Sequence, residues 1–324
     1  MIDFFSVMVS ISSSKLIRER TREFCKSFQN WDLVGNNKIH ILNELNKFLN
    51  EEYSIIPEKE RIGKGIVYIS RYVAKEIFLF LKDEIRVNQK YHIDFIKKNF
   101  SRGEEIDSSI QQHFALLYMS EFVIHFPEKF KIITTLIEEY ANDNEWSIRE
   151  STGSAILAGL KKNPEKTLEF LFDWVDSENE NLRQIVSESS RPMAEVKWLR
   201  DPTKNDKILE LLTLLRMDPS IYVRKSVGNN LKDLSKYMPE KVLDLMEKWI
   251  KDSDLKVYEE LATEKGFSQD EKRLIWTMKH AMRWIKERNP EYHPRLEKIL
   301  GKNYILYFNE KKNRLAKPPT NNSR

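Results

Sequence analysis

Residues 148–175 read IRESTGSAILAGLKKNPEKTLEFLFDWV, and residues 223–250 read VRKSVGNNLKDLSKYMPEKVLDLMEKWI. Laid over each other without a gap, they match at Arg149 and Arg224, Ser151 and Ser226, Gly153 and Gly228, Leu168 and Leu243, and Trp174 and Trp249. Pro164-Glu165-Lys166 falls on Pro239-Glu240-Lys241. The proline also marks half-steps. Pro127, Pro164, Pro202 and Pro239 recur at intervals of about 37 residues, a period that belongs to stacked helical repeats. A repeat architecture carries its function on a continuous face, so the search for a site narrows to the helices that line it.

Composition agrees with an all-helical chain. Charged residues make up 32% of the 324 residues and aromatics 11%, with only 9 glycines and no alternating strand pattern. At this period the chain holds about eight units, more than the roughly three a solenoid needs. The formal net charge of +4 neither demands nor excludes a polyanionic partner. Cys25 is the single cysteine, so an intramolecular disulfide and a cysteine-rich zinc site are ruled out. The start, Met1-Ile2-Asp3-Phe4-Phe5, lacks a basic leader, and no apolar run approaches the ~20 residues of a membrane span. These features predict a cytoplasmic protein.

The fold expected is a right-handed α-solenoid of HEAT-like repeats in three parts: an irregular helical region over 1–107, regular repeats over 108–302, and a basic, partly disordered tail over 303–324. Two helices fill 1–57, separated by a turn over 30–37. A less regular pair covers 58–100, and Ser101-Arg102-Gly103 breaks the pattern. Within each repeat a proline opens the first helix, where its missing N–H costs nothing. Helices are expected over 164–176 and 202–216, and helix pairs as far as about 265, with turns near 126, 143, 163, 178, 201, 218 and 238. The second helices, over 146–161, 180–191 and 220–237, line the concave face. An acid precedes the arginine by six residues in Asp143/Arg149 and Asp218/Arg224, but Ser177 stands before Arg183. Stacking and capping between repeats accounts for such pairs without any ligand. A last pair is expected over 271–288 and 293–300. From Lys272 to Lys302 there are nine Lys or Arg against three Glu, and Lys311, Lys312, Arg314, Lys317 and Arg324 follow. Basic terminal segments suit phosphate contacts, although a solvated face is the commoner origin of a charge run.

No glycine-rich phosphate loop, zinc-protease motif or Cys/His cluster is present, and the six histidines are scattered. Neither a metal nor a cofactor is expected. Three constellations remain. Trp146 and Glu150, four apart, share a helix face; an aromatic plane beside a carboxylate can hold a cationic base and stabilise a sugar cation, or the tryptophan can simply staple the helix start. Glu188-Ser189-Ser190-Arg191-Pro192, followed by 197–202, interrupts the repeat where packing should be most regular. This is a functional loop on a rigid scaffold or a tolerated insertion. In 222–233, Val223, Val227 and Leu231 supply a packing stripe while Lys225, Asn229, Lys232 and Lys236 share another face. Adjacent Asn229 and Asn230 are poor helix formers and need a partner to explain them.

At these residues the chain resembles a known family. Tyr222-Val223-Arg224-Lys225-Ser226-Val227-Gly228-Asn229-Asn230-Leu231, the stretch from Asn181-Leu182-Arg183 to Ser187-Glu188-Ser189-Ser190-Arg191-Pro192, and Lys279-His280-Ala281-Met282-Arg283-Trp284-Ile285 are similar, in order, to three signatures of the HEAT-like DNA alkylation-repair proteins, the AlkC/AlkD family, with the AlkC branch nearest. The resemblance covers roughly 108–300. It implies a solenoid gripping duplex DNA and hydrolysis of the N-glycosidic bond of N-alkylated bases such as 3-methyladenine. It also implies a tryptophan and an acid four residues on, a spacing matched by Trp146 and Glu150, with Glu in place of Asp. One family helix departs: Leu157 stands where the pattern has an arginine.

The expectations that follow are these. Glu150, Asp233 and Trp146 serve catalysis. Arg149, Arg183, Arg191, Lys197, Lys225, Asn229, Lys232, Lys279 and Arg283 contact double-stranded DNA. The protein acts as a monomer without metal or membrane. A catalytically silent DNA-binding relative and a protein-binding HEAT scaffold are the competing readings, separated by duplex binding with steep salt dependence and by release of free methylated base.

Overall fold

The computed structural model describes residues 13–28, 31, 35, 38–61, 65–100 and 109–304. The start of the sequence, the break at 101–103, most of the turn over 30–37 and nearly all of the basic tail lie outside these residues. Every regular element among the described residues is helical, as the composition requires. The chain forms two compact units, 1–163 and 164–324.

The first unit comprises α1 (Ser14–Lys26), α2 (Lys38–Ser54), α3 (Ile66–Leu79), α4 (Gln89–Phe100), α5 (Ser109–His125), α6 (Phe130–Ala141) and α7 (Trp146–Lys162). Helix α5 is its axis. Phe114, Leu116, Leu117, Tyr118, Met119, Phe122 and Val123 are all buried, and both α3 and α7 pack on it. A helix apolar around its whole circumference is stable only inside a stack, and this one carries no clear amphipathic signal for that reason. Its packing is aromatic: Phe78 lies between the rings of His92 (4.6 Å) and His125 (5.1 Å), and His92 Nδ1 meets the Tyr118 hydroxyl at 2.6 Å. Two guanidiniums, Arg18 and Arg22, share buried Glu76, and Arg20 pairs with buried Glu52 (2.6 Å). Helix α3 runs into a π-helical turn, Phe80–Glu84, which ends at Arg86 with a positive φ of 58°. This turn accounts for the irregular reading of 58–100.

The second unit comprises α8 (Pro164–Val175), α9 (Glu180–Ser189), α10 (Asp206–Leu214), α11 (Ile221–Leu234), α12 (Pro239–Asp252), α13 (Gln269–Ala281), α14 (Arg283–Arg288) and α15 (His293–Leu300). Helices α9, α11 and α13 pack in sequence. Pro164 and Pro239 open α8 and α12 as expected. Trp174 and Trp249 are equivalent and buried, 5% and 0% exposed. Trp249 Nε1 donates to Thr213 Oγ1 on α10 (3.1 Å).

Two expectations need correction. Pro202 opens no helix: 202–204 form a turn, held by the side chain of Asp201, which accepts from the Thr203 N–H (2.9 Å), and α10 begins only at Asp206. Residues 253–268, expected to continue the helix pairs, are irregular; Lys302 N–H donates to Val257 O (2.7 Å) and Ala262 N–H to Asn303 Oδ1 (2.9 Å), so the segment is tied to the end of α15.

The repeat shows itself most plainly in three arginines. Arg149 Nη1 donates to the carbonyls of Asp143 (2.6 Å) and Asn144 (3.1 Å). Arg183 Nη1 does the same with Ser177 (2.7 Å) and Glu178 (3.1 Å), and Arg224 Nη1 with Asp218 (2.5 Å) and Pro219 (2.9 Å). Each arginine closes the turn that precedes its own helix. The acid six residues back does something else: Asp143 and Asp218 accept the backbone N–H two residues on (2.8 Å each), and Ser177 does so through its hydroxyl (3.2 Å). Serine can therefore replace the acid without loss of the turn.

Candidate nucleic-acid interface

In the second unit a polar cluster forms where α9 meets α11. Arg191, just past α9, reaches Asp233 on α11 through Nε (3.0 Å) and Nη2, and its Nη1 meets Glu188. Glu188 accepts from Ser226 Oγ (3.0 Å). Asp233 also takes Lys236 (2.7 Å) and lies 3.6 Å from Lys232. Burial alone would raise the Asp233 carboxyl. Hydrogen bonds from Lys236 and Arg191, with Lys232 nearby, outweigh it and hold the group below the usual carboxylate range. Asn230, fully buried, explains half of the asparagine pair: its Nδ2 donates to Ser187 O (2.7 Å) and Ser190 Oγ (3.1 Å), pinning α11 to the end of α9. Beyond Asp233, Trp284 has Lys236 (5.2 Å) and Arg288 (5.6 Å) against its ring.

A second cluster forms where α11 meets α13. Gly228 lets the helices approach so closely that a Cβ there would lie 2.5 Å from the His280 ring. The His280 ring stacks on Trp276 (5.2 Å, 8°), and the Arg224 guanidinium sits 5.5 Å from the Trp276 ring centre. Asn229 Oδ1 accepts from Arg283 Nη2 (3.0 Å), which accounts for the other asparagine. Burial first, then the charges of Arg283, Lys232 and Lys225, bring the His280 pKa down to about 4, so the ring is neutral at pH 7.

In the first unit Trp146 opens α7 and is 65% exposed. Glu150, one turn on, is exposed too. This exposure distinguishes Trp146 from the buried Trp174 and Trp249. Leu157 lies further along the same helix, half-buried.

The expected site residues thus fall into groups. Arg191, Lys232 and Asp233 come together, and Asn229 joins Arg283. Lys225 is exposed on α11, and Lys279 is half-buried on α13. Arg149 and Arg183 are employed by the fold: besides the turn carbonyls, Arg183 makes a two-point pair with Asp218 (2.6 and 3.1 Å). Lys197 is exposed on the 3-10 turn Lys197–Arg200, and no contact links it to either cluster among the described residues. Sequence reasoning placed Glu188 and Ser226 only within candidate stretches, without roles, and missed Trp276, His280 and Trp284 as site members, although these lie in or beside the quoted 279–285 signature.

Among the described residues no helix is long and apolar enough to cross a membrane, and no group of His, Cys, Asp or Glu could hold a metal ion. The family model described as "DNA alkylation repair enzyme" matches residues 111–285, more than half of the chain. A curated relative, the uncharacterized protein YhaZ of Bacillus subtilis, is 36% identical over 99 residues, which are 29% of this chain and 27% of that protein. The match thus spans little more than a quarter of that relative's length. Among solved structures, AlkD2 from Streptococcus mutans is 21% identical, with a TM-score of 0.51 over 74% of this chain and 97% of that one, a likeness of fold. The Pseudomonas fluorescens alkylpurine DNA glycosylase AlkC, bound to DNA containing an abasic site analog, is 18% identical over 90% of this chain and 67% of that one. Its TM-score of 0.46 is too low to carry an argument here.

Proposed function

Because this chain belongs to the DNA alkylation repair enzyme family, we propose that it hydrolyses the N-glycosidic bond of cationic N-alkylated bases, 3-methyladenine among them, in duplex DNA. The observation that carries the reading, beside the family, is the exposed Trp146 one helical turn ahead of the exposed Glu150.

The chemistry asks little of the protein. A base alkylated on a ring nitrogen already carries positive charge, so it departs as a neutral molecule without an acid. As the C1′–N bond breaks, its electron pair goes to the base, and positive charge builds on the deoxyribose. Glu150 supplies a carboxylate for that charge and takes a proton from the water that attacks C1′. Trp146 offers its ring face to the cationic nucleotide. Asp233, expected at the outset to share this role, is better suited to another. Arg191, Lys236 and Lys232 surround its carboxylate, and a carboxylate already neutralised by three cations has little field left for a sugar cation. In this reading Asp233 orders the basic face of the second unit, from which Lys225, Lys232 and Arg283 meet phosphates.

The test is release of methylated base from alkylated duplex. Glu150→Gln lowers the rate by roughly two to three orders of magnitude with duplex affinity nearly kept, whereas Asp233→Asn acts mainly on affinity. Duplex binding by the wild type without any base release would favour a silent relative, with Leu157 in place of the family arginine as the first position to examine. Absence of duplex binding at low salt would leave the scaffold reading.

A further inference from the structure

Four arginines of the second unit, Arg183, Arg191, Arg273 and Arg295, are spent on carboxylates, Arg273 on Asp270. Arg183 faces Asp218, Arg191 faces Asp233 and Glu188, and Arg295 faces Glu247, Asp244 and Glu240. Arg200, Arg216 and Arg224 donate to main-chain carbonyls, whereas Arg283 is held largely by two side chains. All of its hydrogen bonds go to neutral acceptors: Nε donates to His280 O (3.1 Å), and Nη2 donates to both Asn229 Oδ1 (3.0 Å) and His280 Nε2 (2.9 Å). No carboxylate pairs with it among the described residues.

A guanidinium has no acceptor, so the Asn229 atom facing Nη2 must be the carbonyl oxygen. The same Oδ1 lies 3.1 Å from His280 Nε2, so Arg283, Asn229 and His280 form one closed cluster. Burial and the surrounding cations keep His280 neutral at pH 7. Nε and Nη2 are engaged in fixing the plane of the group, while Nη1 has no partner among the described residues. Neutral acceptors orient a guanidinium without cancelling its charge, which a carboxylate would do. The frame is itself held firmly. Gly228 admits the His280 ring to the surface of α11, Trp276 stacks on that ring, and Arg224 covers Trp276. Charged groups facing His280 are Arg283, Lys232 and Lys225, all cationic.

We propose that Asn229 and His280 are positioning residues that aim Nη1 of Arg283 as a clamp on one phosphodiester oxygen of the duplex. The inference rests on the DNA-binding reading above and adds to it which cation depends on its orientation and what orients it. The ligand chemistry is an oxyanion that accepts from the guanidinium's Nη1, as a nucleic-acid backbone oxygen does.

Two measurements test it. The first is binding of a fluorescent duplex against salt. Arg283→Ala should weaken binding roughly tenfold to a hundredfold and lower the salt slope by about one. Arg283→Lys keeps the charge without the fork and should lose most of the same affinity. His280→Ala should weaken binding, and His280→Gln, which returns an acceptor, should recover much of it. The second is 15N relaxation of the Arg283 Nε–Hε group in the free protein: rigid in the wild type, mobile in His280→Ala and in Asn229→Ala. If the wild type binds duplex and Arg283→Lys binds as well as it does, the clamp is refuted while the DNA reading stands. If the wild type binds no duplex, the DNA reading fails first. A mobile Arg283 in the wild type overturns the positioning claim whatever the duplex does.

Discussion

Asp218 joins two successive repeats of the second unit, and its removal has a cost that can be worked out from the geometry. Its carboxylate accepts from Arg183 Nε at 2.6 Å and Nη2 at 3.1 Å, and from the Ser220 N–H at 2.8 Å. The two side chains are 12% and 4% exposed. Breaking a buried ion pair from one side costs about 3–5 kcal/mol, because the remaining charge stays desolvated. Here the figure is lower, since Arg183 keeps the Ser177 and Glu178 carbonyls and some contact with water. The lost turn bond adds back about 1 kcal/mol. Asp218→Ala should therefore cost about 2–4 kcal/mol in urea unfolding monitored by circular dichroism, with the slope of the transition checked, because a two-unit chain need not unfold in one step. Arg183→Met removes the charge and keeps much of the bulk. In a double-mutant cycle the pair should show a coupling of about 1.5–3 kcal/mol. A cost below about 1 kcal/mol for Asp218→Ala, or additivity within about 0.5 kcal/mol, would refute the claim that this pair ties the repeats together.

Three further outcomes are expected. Burial, then the charges of His125 and Lys82, hold His92 near a pKa of about 4 in the folded state. The unfolded chain therefore binds the proton first. The stability its neutral form contributes is present above pH ~6.5 and is lost as pH falls from there through 4, by about 3 kcal/mol; His92→Phe should flatten the fall in urea midpoint between pH 7 and 4, and an unchanged slope would assign the acid sensitivity elsewhere. Gly228→Ala gains about 1 kcal/mol of helix propensity but drives a Cβ into His280, so overpacking of about 1–3 kcal/mol should leave the protein less stable; a raised melting temperature would show that α11 and α13 can part freely. Cys25 is buried and its thiol is pushed up to about 12, chiefly by burial, so it should resist a thiol reagent at pH 8 until the first unit is unfolded by urea, and rapid labelling of the native protein would contradict the packing of α1.

What could be read in the chain and what could not divides by distance. The repeat, the prolines that open α8 and α12 and the buried pair Trp174 and Trp249 are local signals that recur at fixed spacing, so the sequence displays them directly. Pro202 misled because proline favours a turn as readily as a helix start, and only Asp201 and Thr203 beside it decide the matter. Asp233 was legible as a polar acid on the second helix of its repeat, but not as the partner of Arg191, which lies 42 residues away. The pair Asn229 and Asn230 showed that partners must exist without showing which: one asparagine turns back to α9 and the other forward to Arg283. His280 looked like one scattered histidine among six until Gly228, 52 positions earlier in the chain, was seen to make room for it.

The turn-closing arginines have a consequence for how such a protein can change. Arg149, Arg183 and Arg224 grip the turns through main-chain carbonyls, and these turns carry Asp143-Asn144, Ser177-Glu178 and Asp218-Pro219. A carbonyl is the same whichever residue bears it. This part of the fastening is therefore indifferent to the side chains at the second turn position, Asn144, Glu178 and Pro219, which can be rewritten in charge, size and polarity while the arginine keeps its grip. Variation is channelled to these turn positions by the choice of acceptor, and each repeat can acquire new contacts there without renegotiating its own assembly.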